Sequence, residues 1–204
     1  SLAGITSRFK RQGYRLGLLI FSFDDRKTMK ILKTHTIETK RCLLRIASRE
    51  DIPHIFSATR HNGFNNGMRW DPPSAETELE EPYKKNIAAW EDGTAYCFTI
   101  EKRGSMEFIG RIVIRREDGN GIWSLGFWTH PIHQGKGFMS EAVAPIVGFG
   151  FASLSASSIE ACHALWNKAS ERVLLKVGMH FVRHIPRGFQ KQGEWVEENL
   201  LSIT

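Results

Sequence analysis

Three signals are scarce in this chain, and each scarcity excludes something. Cysteine is the first: Cys42, Cys97 and Cys162 are odd in number, far apart, and each lies in an apolar strand-like context. That pattern argues against a disulfide framework and for buried free thiols in a reducing compartment, so a cytoplasmic location is the expectation. Long apolar runs are the second. None approaches the roughly 18 residues that span a bilayer, and no membrane partner is expected. The short apolar run at 16–23 resembles a signal peptide faintly, but Asp24-Asp25-Arg26-Lys27 makes a poor cleavage region. Net charge on the body is the third. The chain carries +6 overall, yet residues 1–33 hold eight Lys/Arg against two Asp/Glu, and residues 34–204 hold twenty of each. A nucleic-acid-binding fold concentrates basic residues on itself, so nucleic acid is not an expected partner of the core. Internal repeats and low-complexity tracts are lacking as well.

What is present is a chain of 204 residues, 41% hydrophobic, enough for one globular domain with a sizeable core. Residues 42–46 read as a strand. Ser48-Arg-Glu-Asp51 reads as a helix cap with an acid at the third position, opening a helix to about Arg60. A loop rich in turn formers follows at 61–73. Ser74 would cap a second helix whose first turns carry Glu76, Glu78, Glu80 and Glu81, suited to a positive helix end; Pro82 would break or restart it before it closes at 90–93. Strand patterns occupy 94–101 and 107–115, and Asp118-Gly-Asn-Gly121 is a hairpin signal leading to a strand at 122–128. A helix to about Leu154, a strand near 158–163, a helix at 168–177 ended by Gly178, and strands at 180–185 and 194–203 complete the order.

The run between the 122–128 strand and the next helix reads Thr129-His-Pro-Ile-His-Gln-Gly-Lys-Gly-Phe-Met139. A strand that feeds a glycine-bearing turn opening a helix can cradle an anion. Glycines let the backbone approach a ligand, and the first amides and dipole of the helix face negative charge. An ordinary strand-to-helix turn is the alternative. Two phosphate motifs are excluded: a Walker loop needs Ser or Thr directly after Gly-Lys, where Gly137 stands, and a dinucleotide fingerprint needs a small residue at the Ser140 position that would be Gly or Ala.

Gln134-Gly-Lys-Gly-Phe-Met139, with Pro131 three residues ahead, resembles the acetyl-CoA pyrophosphate loop of the GNAT N-acetyltransferases, Gln/Arg-x-x-Gly-x-Gly/Ala. The last position departs, since Met139 replaces a small residue. Downstream, Asn167-Lys-Ala-Ser170 followed by Lys176-Val-Gly-Met179 is similar to the superfamily's Asn-x-x-Ala/Ser and Lys-x-Gly-Phe segment. Upstream, Thr39-Lys-Arg-Cys-Leu-Leu-Arg45 is similar to the opening of the RimJ/RimL-type branch. The resemblance implies an α/β (α+β) GNAT fold, a mixed and mostly antiparallel twisted sheet of about seven strands flanked by helices, filling 34–204 as a single domain. Residues 1–33 match nothing in it. Three readings stand for them: non-native sequence ahead of a natural start at Met29, a genuine extension that docks on the fold, or a basic targeting arm.

The same resemblance implies a cofactor site and an acceptor site. Gln134, Gly135, Lys136, Gly137, Phe138 and Met139 would hold the pyrophosphate of acetyl-CoA, the backbone at Trp128 and Thr129 would pair with the pantetheine arm, and Asn167 and Ser170 would contact it. Asn167 as a plain helix cap is compatible with that role. The family's frequent tyrosine acid falls at Leu174, so Ser170 is the substitute proton donor; a packed small residue is the alternative. The branch's strand carboxylate falls at Ser124, which leaves Glu160 as the general base, against the alternative of a solvent-facing strand glutamate. His130 and His133 are further candidates for the base; as a metal pair they are weak, since Pro131 intervenes and no other ligands cluster, and no metal is expected. No cysteine falls in the Gln134–Met139 loop or the Asn167–Met179 segment, so direct transfer in a ternary complex is expected rather than an acyl-enzyme.

Phe64, Arg69, Trp70 and Asp71 are the candidate acceptor contacts, with Trp70 as a core residue the alternative. The acceptor would be a primary amine, either a protein N-terminal α-amine or a small molecule. The rival reading is a catalytically weak acyl-CoA-binding sensor or interaction module. Homodimers are common among such enzymes, but no feature of the sequence establishes one.

Overall fold

A computed structural model describes residues 15–16, 21–23, 29–117 and 121–204. The hairpin turn expected at 118–121 falls mostly on residues 118–120, outside the described residues. So do residues 24–28 and much of the apolar run at 16–23.

Among the described residues, nine strands form one sheet. These are β1 (Arg15–Leu16), β4 (Ile37–Glu38), β5 (Cys42–Ile46), β6 (Ala95–Lys102), β7 (Glu107–Arg116), β8 (Ile122–Thr129), β9 (Ser158–Ala164), β11 (Glu194–Ile203) and β10 (His180–Lys191), in that spatial order. β2 (Phe21–Phe23) and β3 (Met29–Ile31) pair separately. All neighbours in the large sheet run antiparallel except β8 and β9, which are parallel. The mixed, mostly antiparallel sheet expected is present, with β5 to β11 as its seven longer strands; β1 and β4 add two residues each at one edge, too few for any alternation to show in a sequence.

Four α-helices flank the sheet: α1 (Ile52–Thr59), α2 (Glu80–Asp92), α3 (Phe138–Ser153) and α4 (Lys168–Lys176). Ser48 and Asp51 make a reciprocal capping box on the 3-10 turn that leads into α1. Ser74 does not cap α2. The chain stays extended through Ala75 and enters a 3-10 turn at Glu76–Leu79, and the Ser74 N–H instead donates to Glu78 Oε1 at 3.2 Å. Pro82 neither breaks nor restarts α2, since it sits in the first turn, where its missing N–H has no intrahelical partner to lose. β10 runs to Lys191 rather than stopping near Ile185. Pro186 and Gly188 look like turn residues but occupy an irregular stretch of an edge strand, where a missing ladder bond is tolerated.

Both faces of β6 are covered. Tyr96, Phe98 and Ile100 join Phe149, Ile146 and Val143 of α3 in the main core, together with Ile112 and Ile114 of β7 and Trp90 of α2. Each such side chain contributes about 1.5–3 kcal/mol when fully buried. The opposite face of β6 is polar: Thr99 Oγ1 donates to Asp51 at 2.5 Å, and Glu101 accepts from Arg45 at 2.8 Å. Ile31 of β3 is also buried, and its carbonyl accepts from Trp90 Nε1 at 2.9 Å, so the core extends upstream of residue 34.

Candidate functional site

The site begins where the sheet comes apart. β8 and β9 pair in parallel from Ile122↔Ser158 only as far as Ser124↔Glu160. Past that point β8 stays bonded to β7 and β9 to β11, and no ladder joins the two inner edges. The hydrogen-bond parity says which groups face the gap. His130 N–H donates to Ile109 O at 2.8 Å and Glu117 N–H to Ile122 O at 2.9 Å, so alternate residues of β8, Trp128 included, direct their main-chain groups at β7. The groups of Phe127 and Thr129 are directed the other way, into the gap. On β9, Leu165 N–H donates to Glu197 O at 3.1 Å, which by the same alternation turns the main chain of Cys162 toward the gap. Two strand edges whose peptide groups are not laddered to one another thus face each other across a wedge.

The glycine loop lies at the wide end of that wedge. Gly135 and Gly137 have φ of 74° and 79°, a left-handed conformation that disfavours side chains, and Gly137 is the residue before α3. A Cβ at Gly135 would meet nothing within 4 Å, so a ligand can approach that backbone closely. The first amides of α3 have no carbonyl four residues back within the helix and carry its positive dipole end. Phe138 and Met139 are buried, and Met139 belongs to the main core, so its bulk is absorbed there and its amide stays in the helix's first turn. Gln134 Nε2 donates to Thr129 O at 3.2 Å and ties the loop to β8; Lys136 Nζ donates to Ile132 O at 2.9 Å.

Arg41 and Glu141 brace the loop, and sequence reading missed both. Arg41 Nη1 donates to Lys136 O at 3.0 Å, Arg41 Nε to Glu141 Oε2 at 2.7 Å, and the guanidinium lies 4.5 Å from the Phe138 ring centroid. Glu141 Oε1 also accepts from Thr39 Oγ1 at 2.6 Å and from Arg41 N–H at 2.7 Å. Burial opposes the charge on Glu141, but these donors outweigh it and hold the carboxyl below its ordinary range. In the sequence Thr39 and Arg41 stand out only as part of the branch-like 39–45 opening, with nothing in it to tie them to the loop about 95 residues on.

A cleft of 1520 Å³ runs from this loop through the wedge to the opposite face of the sheet, and the candidate residues gather along it. Glu160 lines it at the narrow end of the wedge, in register with Ser124. Asn167 caps α4, its Oδ1 accepting from Ser170 N–H at 3.1 Å, and both residues line the cleft. Leu174 is fully buried in the core. Phe64 is buried with its ring 5.3 Å from that of Trp128 and 6.4 Å from that of Trp70. Trp70 is 37% exposed, so it is a wall of the cleft and not core. Arg69 and Asp71 are engaged in ion pairs, with Glu198 at 2.6 Å and Lys191 at 2.8 Å. Of the four glutamates in the 3-10 turn and the first turn of α2, Glu80 and Glu81 pair with Arg49 and Lys84 at 2.6 Å each, and only Glu78 lines the cleft.

Cys162 also lines the cleft, half-buried. Burial, then the charges of Glu198 and Glu160, push its thiol up, the reverse of what an activated nucleophile needs. Cys42 is pushed up to about 11, chiefly by burial, and all three cysteines are free thiols. His130 and His133 are buried, with burial the leading cause that lowers both pKa values; His61, His133 and His54 lower that of His130 further. No cluster able to hold a metal ion occurs among the described residues, and none of their helices is long and apolar enough to cross a membrane.

Residues 41–180 match the family model described as an acetyltransferase (GNAT) domain. The chain belongs to the GNAT acetyltransferase family. Membership is reinforced by the "Uncharacterized N-acetyltransferase YnaD" of Bacillus subtilis (strain 168), 30% identical over 171 residues that cover 82% of this chain and 95% of the relative. Two solved GNAT enzymes share the fold. The RimL ribosomal L7/L12 alpha-N-protein acetyltransferase in complex with coenzyme A superposes with a TM-score of 0.74 at 18% identity, covering 81% of this chain and 94% of that one. A spermidine N-acetyltransferase from Vibrio cholerae, in complex with CoA and spermine, gives 0.70 at 21% identity, covering 79% and 94%.

Proposed function

We propose that this GNAT protein transfers an acetyl group from acetyl-CoA to a primary amine, directly, within one ternary complex, as a member of the RimJ/RimL-type branch. The observation that carries this reading is the wedge itself: a peptide-edged slot between β8 and β9 that opens onto a left-handed glycine loop at a helix N-terminus. Both structural relatives named above were solved with CoA, which supports the choice of co-substrate.

The amides of Gly135, Gly137, Phe138 and Met139 hold the pyrophosphate. The gap-facing groups of Phe127 and Thr129 take the peptide-like pantetheine arm as an added strand, with the side chain of Asn167 alongside. Acetyl-CoA supplies a thioester carbonyl for attack by the amine. The Phe127 N–H, the first gap-facing amide of β8 beyond the last bridge to β9, polarises that carbonyl. Glu160 takes a proton from the amine as the C–N bond forms, and Ser170 gives a proton to the sulfur as the C–S bond breaks. Where the branch often carries a strand carboxylate, this chain has Ser124; Glu160 stands beside Ser124 in register on the next strand and brings a carboxylate to the same patch of the sheet. The raised thiol of Cys162 supports direct attack over an acyl-enzyme.

The Glu160→Gln plus Ser170→Ala double variant should lose about 100-fold or more in kcat, with acetyl-CoA affinity little changed, when thiol release is followed across a panel of amines. Unchanged turnover would remove both residues from the mechanism. Full acetyl-CoA binding without turnover of any amine by the wild type would favour the sensor reading instead.

A further inference from the structure

The loop over the acceptor face is fastened on both banks of the wedge. On the β8 bank, Phe64 packs edge-on against Trp128. In the middle, a Cβ at Gly67 would lie 3.2 Å from the Trp166 ring and 3.6 Å from Asn167 Nδ2, so the loop crosses at the end of β9. On the far bank, Arg69 Nη2 reaches Glu198 Oε2 of β11 at 2.6 Å. Lys191, at the end of β10, donates to Met68 O at 3.3 Å, Trp70 O at 2.9 Å and Asp71 Oδ1 at 2.8 Å. The anchors are built for this task. The Glu198 side chain is 5% exposed, and a Cβ at Gly188 would stand 2.4 Å from its Oε2, so only glycine leaves room for the carboxylate. The Lys191 side chain is 14% exposed although lysine normally stays in water, and it satisfies two carbonyls that have no ladder partner.

We propose that this strap, held by Lys191 and Glu198, selects the acceptor: it closes the wide end of the cleft's acceptor face against a polypeptide and leaves a compact primary amine to enter at the narrow end, beside Glu160. The proposal rests on the acetyl-CoA reading above. A protein N-terminus needs several residues of extended chain behind it, and those residues would have to lie where the loop and the β10–β11 hairpin are joined. A small amine has no such tail. Tyr83 and Asn86 of α2, with Ser124 and Glu160 of the sheet, line the same cleft, and none of the strap's anchoring contacts involves them.

Bisubstrate conjugates test this without requiring turnover. CoA is joined through an acetyl bridge on sulfur either to butylamine or to the α-amine of a decapeptide, and binding to the full chain is measured by calorimetry. Wild type should bind the butylamine conjugate at least about tenfold more tightly than the peptide conjugate. Lys191→Ala should bring the two toward parity by strengthening the peptide conjugate alone. Asp71→Asn, which alters only the exposed end of the tie, should shift the ratio less and in the same direction, and it serves if Lys191→Ala does not fold. Equal binding of both conjugates to wild type, or an unchanged ratio in both variants, overturns the proposal. Acetyl-CoA alone is titrated in parallel: if it binds and neither conjugate does, the strap proposal fails by itself, and if it does not bind, the cofactor reading fails and takes the proposal with it.

Discussion

Gly137→Val is expected to weaken acetyl-CoA binding at least about 100-fold, or roughly 2.7 kcal/mol, while the protein still folds. Gly137 has φ 79°, where an ordinary residue pays roughly 1–2 kcal/mol and a β-branched one more. Its Cβ would also stand 3.4 Å from Arg41 Nη2, in the brace that holds the Lys136 carbonyl. The residue therefore meets two demands: a turn that aims the first amides of α3, and a bare backbone for the phosphates to approach. Gly135→Ala separates them. Its φ is similarly positive, but nothing lies within 4 Å of the new Cβ, so its effect should be smaller, about tenfold. Calorimetric titration of both variants, with thermal unfolding as the control for folding, reads the difference. Binding by Gly137→Val within threefold of wild type would mean that the loop does not hold the cofactor.

Asp51→Ala is expected to cost about 3–5 kcal/mol of stability, because it leaves buried positive charge without its partner. Asp51 is 1% exposed and accepts from Arg45 at 2.8 Å, Thr99 Oγ1 at 2.5 Å and Ser48 N–H at 2.9 Å, with Arg111 at 3.4 Å. The Arg45 guanidinium also touches Glu101, so the two carboxylates share it. Burial opposes the charge on Asp51, yet the donors prevail and hold its carboxyl below the ordinary value of 3.8. A carboxyl lowered on folding stabilises the protein at pH above that unfolded value, and the contribution is lost as pH falls below it toward the folded value. Urea unfolding should therefore show a large deficit for Asp51→Ala at neutral pH that shrinks below about pH 4. A deficit that stayed constant through acid would mean the cost is only the lost capping box of α1.

How much of this was legible in the sequence depended on whether the signal was local. The Gln134–Met139 loop and the Asn167 cap could be read because turn geometry and capping are written in adjacent residues. Asp51 was visible as a cap acid, but its second role under Arg45, Thr99 and Arg111 arises from strands brought together by β5, β6 and β7 pairing. Ser74 misled because a serine before four glutamates fits a cap, whereas the chain there remains extended for one more residue. Arg41, Glu141, Lys191 and Glu198 stayed hidden for one reason: each acts on a segment far from it in the chain, and a lone charged residue looks like a solvated one until its partner is placed. The gap-facing groups of Phe127 were hidden too. Main-chain direction along a strand depends on ladder parity, which no side chain records.

The most direct test of the central claim is calorimetric titration of acetyl-CoA into the full chain. One site per chain with a micromolar dissociation constant, about −8 kcal/mol, is the predicted result, and Gly137→Val should remove it. No saturable heat for the wild type would contradict the assignment of the wedge between β8 and β9 as the acetyl-CoA slot.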